Sequence, residues 1–266
     1  VIKKDSVFND LENEISCAEH TISEHDDLPK NLTVEQILIR SSNIGAVRIA
    51  QKVGMNAYRD FLNSLKLFEK IDFEFEEIGT PLPFKWGKCK LATASFGHGI
   101  TTTPLQLARA YAILGNGGYE IKPSILKKSN TSIVTRKRII SSETSRSINS
   151  MLRKVVALEE GTANFANISG YEVGGKTGTS LKYKDKKKKF NNFVALFPAS
   201  KPKYVLVVIL DEPKPAPNLV YITNGEKKAS QARNESGWNS VYTAGKIIEK
   251  IGPILAIKNL QASNKF

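Results

Sequence analysis

Two short segments of this chain hold side chains whose types and spacing could do chemistry. One is Ser41-Ser42-Asn43; the other, far downstream, is Gly174-Gly175-Lys176-Thr177-Gly178-Thr179. The second gathers an ammonium, two hydroxyls and three glycines, a set suited to an anionic ligand. On a strand, alternation sends Lys176 and Gly178 to the face opposite Thr177 and Thr179. At a sheet edge all four can still serve one cleft: hydroxyls toward a carboxylate, the ammonium nearby, and Gly178 leaving room for close backbone approach. An exposed backbone N–H there can also stabilise an oxyanion. The first segment is less specific, because serine and asparagine are ordinary helix-junction residues that cap free backbone groups.

Gly170-x4-Gly175-Lys176-Thr177 also satisfies the phosphate-binding loop pattern. That loop must follow a buried strand and open a helix whose N-terminus faces the phosphates. Here Gly178 follows at once, then a polar stretch from Ser180 to Lys189 without apolar periodicity, and Thr162 to Ser169 is a poor buried strand. A nucleotide-binding role is set aside. Cys17, His20 and His25 lie close together, but a fourth ligand at metal-site spacing is missing and His98 is remote. Neither a metal nor another cofactor is expected.

The elements that must position these groups are legible around them. Thr33-Val34-Glu35-Gln36 reads as a capping box, and Val34, Ile37 and Leu38 share one face, so a short helix runs into Ser41. A second helix opens at Asn43 with Ile44, Val47, Ala50 and Val53 at helical spacing and stops at Gly54. Tyr58, Phe61, Leu62 and Leu65 mark a third. Leu82 to Thr103, rich in proline and glycine, predicts an irregular path. Thr103-Pro104 then launches a helix over Leu105 to Leu114, and another covers Ser142 to Leu158. Tyr171 to Thr179, Phe193 to Pro198 and Tyr204 to Leu210 are strand-length, with the lysine cluster as the turn between the first two, and Trp238 to Ile251 closes with a helix. Residues 1–30 read as polar and irregular. The predicted class is α+β, an antiparallel sheet packed with helices, with a mainly helical lobe over 31–160 and a sheet-containing part over 161–266.

Bulk properties set outer bounds. The chain has 266 residues, 41% of them hydrophobic, enough to bury a full core. Its net charge of +13 invites a nucleic-acid reading. Six of the eight residues from Lys182 to Lys189 are lysine, however, and no aromatic-basic platform accompanies them, so an exposed lysine-rich turn is expected and no nucleic-acid partner. Two cysteines do not make a disulfide framework; Cys17 and Cys89 pair only if folding brings them together. No apolar run reaches membrane-span length, and Val1-Ile2-Lys3-Lys4-Asp5 is neither an initiator methionine nor a signal peptide, so the chain is expected to begin mid-protein.

The order of the motifs resembles the transpeptidase domain of class B penicillin-binding proteins, especially the cell-division type. Leu38 to Gly45 resembles that family's second motif with its flanks. Ser95-Phe96-Gly97-His98-Gly99-Ile100, followed by Thr103 to Ala108, resembles the stretch between the second and third motifs. Gly161-Thr162-Ala163 and Gly175 to Thr179 resemble the approach to the third motif and the motif itself. The family's Ser-x-x-Lys nucleophile lies upstream of the second motif. Here only Ser124-Ile125-Leu126-Lys127 and Ser200-Lys201-Pro202-Lys203 fit, both too late and neither opening a helix. Val1 to Asn9 resembles the segment just after the family's nucleophile helix, so residues 1–266 are expected to be an incomplete, N-terminally truncated transpeptidase domain, inactive by itself.

The resemblance implies a substrate and roles. The intact relative would attack the penultimate D-alanine of a peptidoglycan stem peptide ending in D-Ala-D-Ala and pass the acyl group to a neighbouring amine. Ser41 would relay the proton, Asn43 would bind the substrate amide, and Lys176 would supply positive potential. Thr177 and Thr179 would bind the terminal carboxylate, Gly178 would leave room for the substrate, and the Thr179 N–H would help hold the oxyanion. It further implies β-lactams as ligands, division-complex partners including a glycosyltransferase, and a location on the periplasmic side of the bacterial inner membrane. A non-catalytic cell-wall-peptide or β-lactam binder is the alternative, and a serine β-lactamase a more distant one.

Overall fold

The computed structural model describes residues 2–18, 20–75, 81, 85–87, 89–126, 137–182, 188–223, 226–228 and 233–263. They fall into two compact units, Val1–Met151 and Leu152–Phe266.

The first unit opens with β1 (Val7–Phe8), continues through a hairpin of β2 (Glu14–Cys17) and β3 (His20–Ser23), and returns in β4 (Leu32–Thr33), which pairs antiparallel with β1. The expectation that residues 1–30 are irregular is corrected here. These strands are two to four residues long and only Leu11 and Ile22 of the segment are core residues, so the alternation that betrays a strand is too sparse to read. Ala18 takes the hairpin turn at φ 53, without the glycine or asparagine that usually signals such a position. Cys17 is joined to Cys89 by a disulfide, which ties the hairpin to a segment 72 residues away.

Helices follow. α1 (Val34–Arg40) begins with the expected capping box, Gln36 N–H on the Thr33 hydroxyl at 3.1 Å and Thr33 N–H on Gln36 Oε1 at 2.9 Å. α2 (Asn43–Val53) ends at Gly54, and α3 (Met55–Ser64) starts directly after it. α4 (Lys90–Ser95) is a short helix within a stretch expected to be irregular; Leu82 to Phe84 and Lys88 of that stretch lie outside the described residues. α5 (Pro104–Gly115) repeats the capping box at Thr103 and Gln106 with proline at its first position. α6 (Ser142–Ala157) carries the chain from the first unit into the second. Ile37 and Ile44 pack with Leu11 and Leu32, while Val47 packs with Ile22 and Ala92. Each large apolar side chain among these contributes about 1.5 to 3 kcal/mol on burial.

The second unit is built on an antiparallel sheet of β5 (Gly174–Leu181), β6 (Lys189–Phe197) and β7 (Tyr204–Asp211), in that order. The three expected strands are present, with β6 beginning four residues earlier than Phe193. The centre of the lysine-rich turn, residues 183–187, lies outside the described residues; Lys182 and Lys188 flank it and pair with Asp211 and Glu212. A hairpin, β8 (Tyr221–Thr223) and β9 (Glu226–Lys228), precedes a 3-10 turn over Ser236–Trp238. α7 (Ser240–Ser263) packs on β6 and β7 through buried Val241, Ala244 and Ile248. Phe165, Tyr221, Trp238 and Tyr242 form an aromatic cluster, with Phe165 and Tyr221 stacked at 5.0 Å.

α7 runs past Ile251, the expected end of the closing helix, and on through Gly252 and Pro253. Gly252 is there for packing: a Cβ on it would lie 2.4 Å from the Tyr171 ring. No helix among the described residues is long and apolar enough to cross a membrane.

Candidate active site

The serine-asparagine motif is the joint between α1 and α2. Ser41 caps α1 in the left-handed region, φ 60 and ψ 41, where a side chain costs about 1 to 2 kcal/mol. Its N–H bonds Leu38 O at 3.3 Å, and the next N–H, of Ser42, bonds Ile37 O at 3.0 Å. Ser42 is buried and caps α2, its Oγ accepting from Gly45 N–H at 2.8 Å. Gly45 is required by the closeness of the joint, because a Cβ on it would lie 2.6 Å from Ile37.

Glu24, immediately after β3, holds this joint from outside. Its carboxylate accepts from the Ser42 hydroxyl at 2.5 Å, from Asn43 N–H at 2.8 Å and from Ile44 N–H at 3.0 Å. Two of these donors are first-turn amides of α2, where the helix dipole favours a negative charge. The neighbouring residue, Ser23, accepts from Asn43 Nδ2 at 2.9 Å. Asn43 is thus fixed at its backbone amide and its side-chain amide by two consecutive residues. The sequence offered no signal for Glu24, since nothing local links a carboxylate beside a short hairpin to a helix that begins 19 residues on.

The glycine-lysine-threonine motif lies on β5, which forms one edge of the three-stranded sheet among the described residues. Lys176 pairs with Val194, Thr177 with Phe193, Gly178 with Asn192 and Thr179 with Asn191. The glycines answer to crowding. A Cβ on Gly175 would stand 2.5 Å from the Val194 carbonyl oxygen, and one on Gly178 would stand 2.7 Å from the Asn192 amide. Lys176 Nζ lies 3.2 Å from Thr177 O and 3.4 Å from Thr177 Oγ1. Although the residue keeps some exposed surface, its ammonium is desolvated, and burial pushes its pKa down to about 8.

The two threonines of β5 have different partners. Thr177 Oγ1 lies 2.9 Å from Thr162 Oγ1. Thr162 follows Gly161, where a Cβ would lie 2.2 Å from Val155 O, so only glycine lets the chain turn this close to α6. Thr179 Oγ1 donates to Ser236 Oγ at 2.9 Å and accepts from Ser236 N–H at 3.0 Å, while Ser236 Oγ donates to Gly178 O. Ser236, 57 residues downstream of Thr179, is another contributor that sequence reasoning missed.

Beyond Thr177 the chain continues as strand to Leu181, which is incompatible with a phosphate-binding loop opening a helix. Ser124 lies in an irregular segment with its hydroxyl on Glu74, and Ser200 in a turn with its hydroxyl on Glu172; Lys127 is outside the described residues. Among the described residues no group of three or more His, Cys, Asp and Glu could hold a metal ion, and Cys17 is engaged in its disulfide. Ser41, Ser42 and Asn43 belong to the first unit and Lys176 to Thr179 to the second.

A model of the family described as penicillin binding protein transpeptidase domain matches residues 1–235. The chain belongs to that family. It is 33% identical over 251 residues to the Caulobacter vibrioides protein named probable peptidoglycan D,D-transpeptidase FtsI, covering 90% of this chain and 41% of that one. To the Escherichia coli peptidoglycan D,D-transpeptidase FtsI it is 31% identical over 222 residues, covering 80% of this chain and 37% of the relative. The chain therefore spans well under half the length of these curated relatives. Among solved structures, the transpeptidase domain of Burkholderia pseudomallei penicillin-binding protein 3 superposes with a TM-score of 0.77 at 26% identity, covering 92% of this chain and 72% of that one. The penicillin-binding transpeptidase resemblance and the α+β class read from the sequence are both borne out.

Proposed function

We propose that this chain supplies the peptide-recognition part of a peptidoglycan D,D-transpeptidase that cross-links stem peptides ending in D-Ala-D-Ala during septal wall synthesis. The edge strand β5 carries the reading: a desolvated ammonium next to the Thr177 hydroxyl, on a strand whose glycines keep side chains out of the way. A partly dehydrated cation strengthens its attraction for a carboxylate. Thr177 and Thr179 are assigned to the terminal carboxylate, with Gly178 between them admitting the peptide backbone and the Thr179 N–H serving the oxyanion. Thr177 can offer its proton, because its bond with the Thr162 hydroxyl can run in either direction, whereas the Thr179 proton is directed to Ser236.

In the reaction, a serine oxygen bonds to the carbonyl carbon of the penultimate D-alanine while its proton passes to a base. The carbon–nitrogen bond then breaks and the terminal D-alanine leaves as the protonated amine. Ser41 is assigned the proton relay and Asn43 the substrate amide. An acceptor amine attacks the ester and restores the hydroxyl. A β-lactam follows the first half and remains attached. No serine within the 266 residues is assigned as nucleophile: neither Ser124 nor Ser200 opens a helix that could place a lysine one turn away. The 266 residues by themselves are proposed to form no acyl-enzyme.

A location on the outer side of the bacterial inner membrane is supported by the Cys17–Cys89 disulfide, a bond that persists in oxidising compartments. Division-complex partners, a glycosyltransferase among them, are assigned by family. Incubation with a fluorescent penicillin tests the function. The complete gene product forms a covalent adduct and the 266-residue chain does not; an unlabelled complete product overturns the transpeptidase reading, and a labelled 266-residue chain overturns its proposed inactivity.

A further inference from the structure

We propose that Glu24 is a positioning residue for the serine-asparagine motif, acting through Asn43 without touching substrate; this rests on the assignment of Asn43 to the reaction. The carboxylate is the common acceptor for three donors of the joint, the Ser42 hydroxyl and the Asn43 and Ile44 amides. Charge-assisted bonds of this kind are shorter and stronger than neutral ones, and three converging on one group fix it in both position and rotation.

Asn43 is held more tightly than a residue at the start of a helix needs. An amide side chain carries two N–H donors and one carbonyl oxygen. With Nδ2 donating to Ser23 O and the backbone N–H to Glu24, the side chain and the backbone of Asn43 are tied to one short piece of chain. That piece is the end of β3, and β2 on the other side of the hairpin carries the disulfide to Cys89 at the head of α4. α4 packs on α2. Glu24 therefore sits where a cross-linked hairpin meets the helix that bears Asn43, with Ser41 two residues before it in a left-handed turn. Removing the carboxylate leaves two helix N-terminal amides and a hydroxyl without their acceptor while the packed core of Ile37, Ile44, Leu11 and Leu32 stays in place. The expected result is a folded protein with a misdirected Asn43. A displacement of an ångström at a reacting group lowers rates by up to about a hundredfold.

The test compares Glu24→Ala, Glu24→Gln, Asn43→Ala and the double variant Glu24→Ala/Asn43→Ala in the complete gene product, reading the second-order rate of acylation by fluorescent penicillin. Glu24→Ala is expected to lower the rate about 10- to 100-fold. Glu24→Gln, which keeps one acceptor oxygen, falls between it and the unaltered protein. The double variant is expected to be no slower than Asn43→Ala alone, since a positioning group has nothing left to position. Rates that multiply in the double variant, or an unchanged rate in Glu24→Ala, overturn the proposal. In parallel, amide exchange is measured in the 266-residue chain. Asn43 and Ile44 exchange at least about tenfold faster in Glu24→Ala, while amides at the far end of α2 do not change. Unchanged exchange at Asn43 and Ile44 also overturns it. If the complete protein takes no penicillin at all, the transpeptidase reading fails, and the exchange measurement alone decides the role of Glu24 at the joint.

Discussion

Thr179 and Ser236 close a hydrogen-bonded ring with the Gly178 carbonyl, in which the threonine proton goes to the serine oxygen and the serine N–H returns to the threonine oxygen. Ser236 is buried, so each of its bonds replaces water with protein. The ring bolts the end of the β5 motif to the turn that starts α7. Replacing Ser236 with alanine leaves the Gly178 carbonyl and the Thr179 hydroxyl short of partners at a site water reaches poorly. A loss of about 1 to 3 kcal/mol is expected, measured by urea denaturation. A change below the error of that measurement contradicts the ring's structural role.

The glycines of β5 are expected to differ in what they tolerate. At Gly175 a methyl meets the Val194 carbonyl and the Phe193 ring, which belong to the buried centre of the sheet. At Gly178 its nearest neighbours are the atoms of the Asn192 amide, a half-buried side chain that can rotate. Gly175→Ala therefore costs about 1 to 3 kcal/mol and Gly178→Ala distinctly less, while both narrow the strand edge. Parallel denaturation curves rank the two variants; the reverse order contradicts the packing described.

Lys176 makes stability depend on pH in a defined direction. Its pKa is pushed down by burial from 10.5 to about 8. Between those values the unfolded chain holds a proton that the folded chain has released. Stability attributable to this group therefore rises as pH climbs from about 8 to 10.5, because the unfolded state holds the extra proton across that window. Below about 8 the folded state carries the full cost of the buried ammonium. Lys176→Met is expected to be more stable than the unaltered protein at pH 7, with the gap narrowing steadily toward pH 10.5. A gap that stays constant across the window contradicts a depressed pKa at this position.

The Cys17–Cys89 disulfide spans 72 residues of sequence. Cross-linking a loop of that length removes enough freedom from the unfolded chain for about 2 to 4 kcal/mol of stability. Denaturation with and without reductant, and of Cys17→Ser/Cys89→Ser, measures the loss directly. Equal midpoints would show that the bond contributes nothing.

Local chemistry made much of this legible in advance. The capping box at Thr33, the Thr103-Pro104 start of α5 and the dense valine and phenylalanine of β6 and β7 each act within a few residues, so spacing reveals them. Tyr171 to Thr179 was legible as a strand-length segment, and β5 covers its second half. Glu24 and Ser236 were not legible, because they reach their motifs across 18 and 57 residues and neither sits in a pattern that its own neighbours explain. The hairpin of β2 and β3 escaped for another reason: its core contribution is slight, and a disulfide does part of the holding that apolar burial does elsewhere.

Recognition of a free carboxylate by β5 is tested most directly by Thr177→Val in the complete gene product. The substitution keeps shape and removes the hydroxyl that lies 2.9 Å from Thr162. Acylation by fluorescent penicillin is expected to fall about 10- to 150-fold, the loss of one hydrogen bond to a charged group. Labelling of Thr177→Val at the rate of the unaltered protein would contradict it.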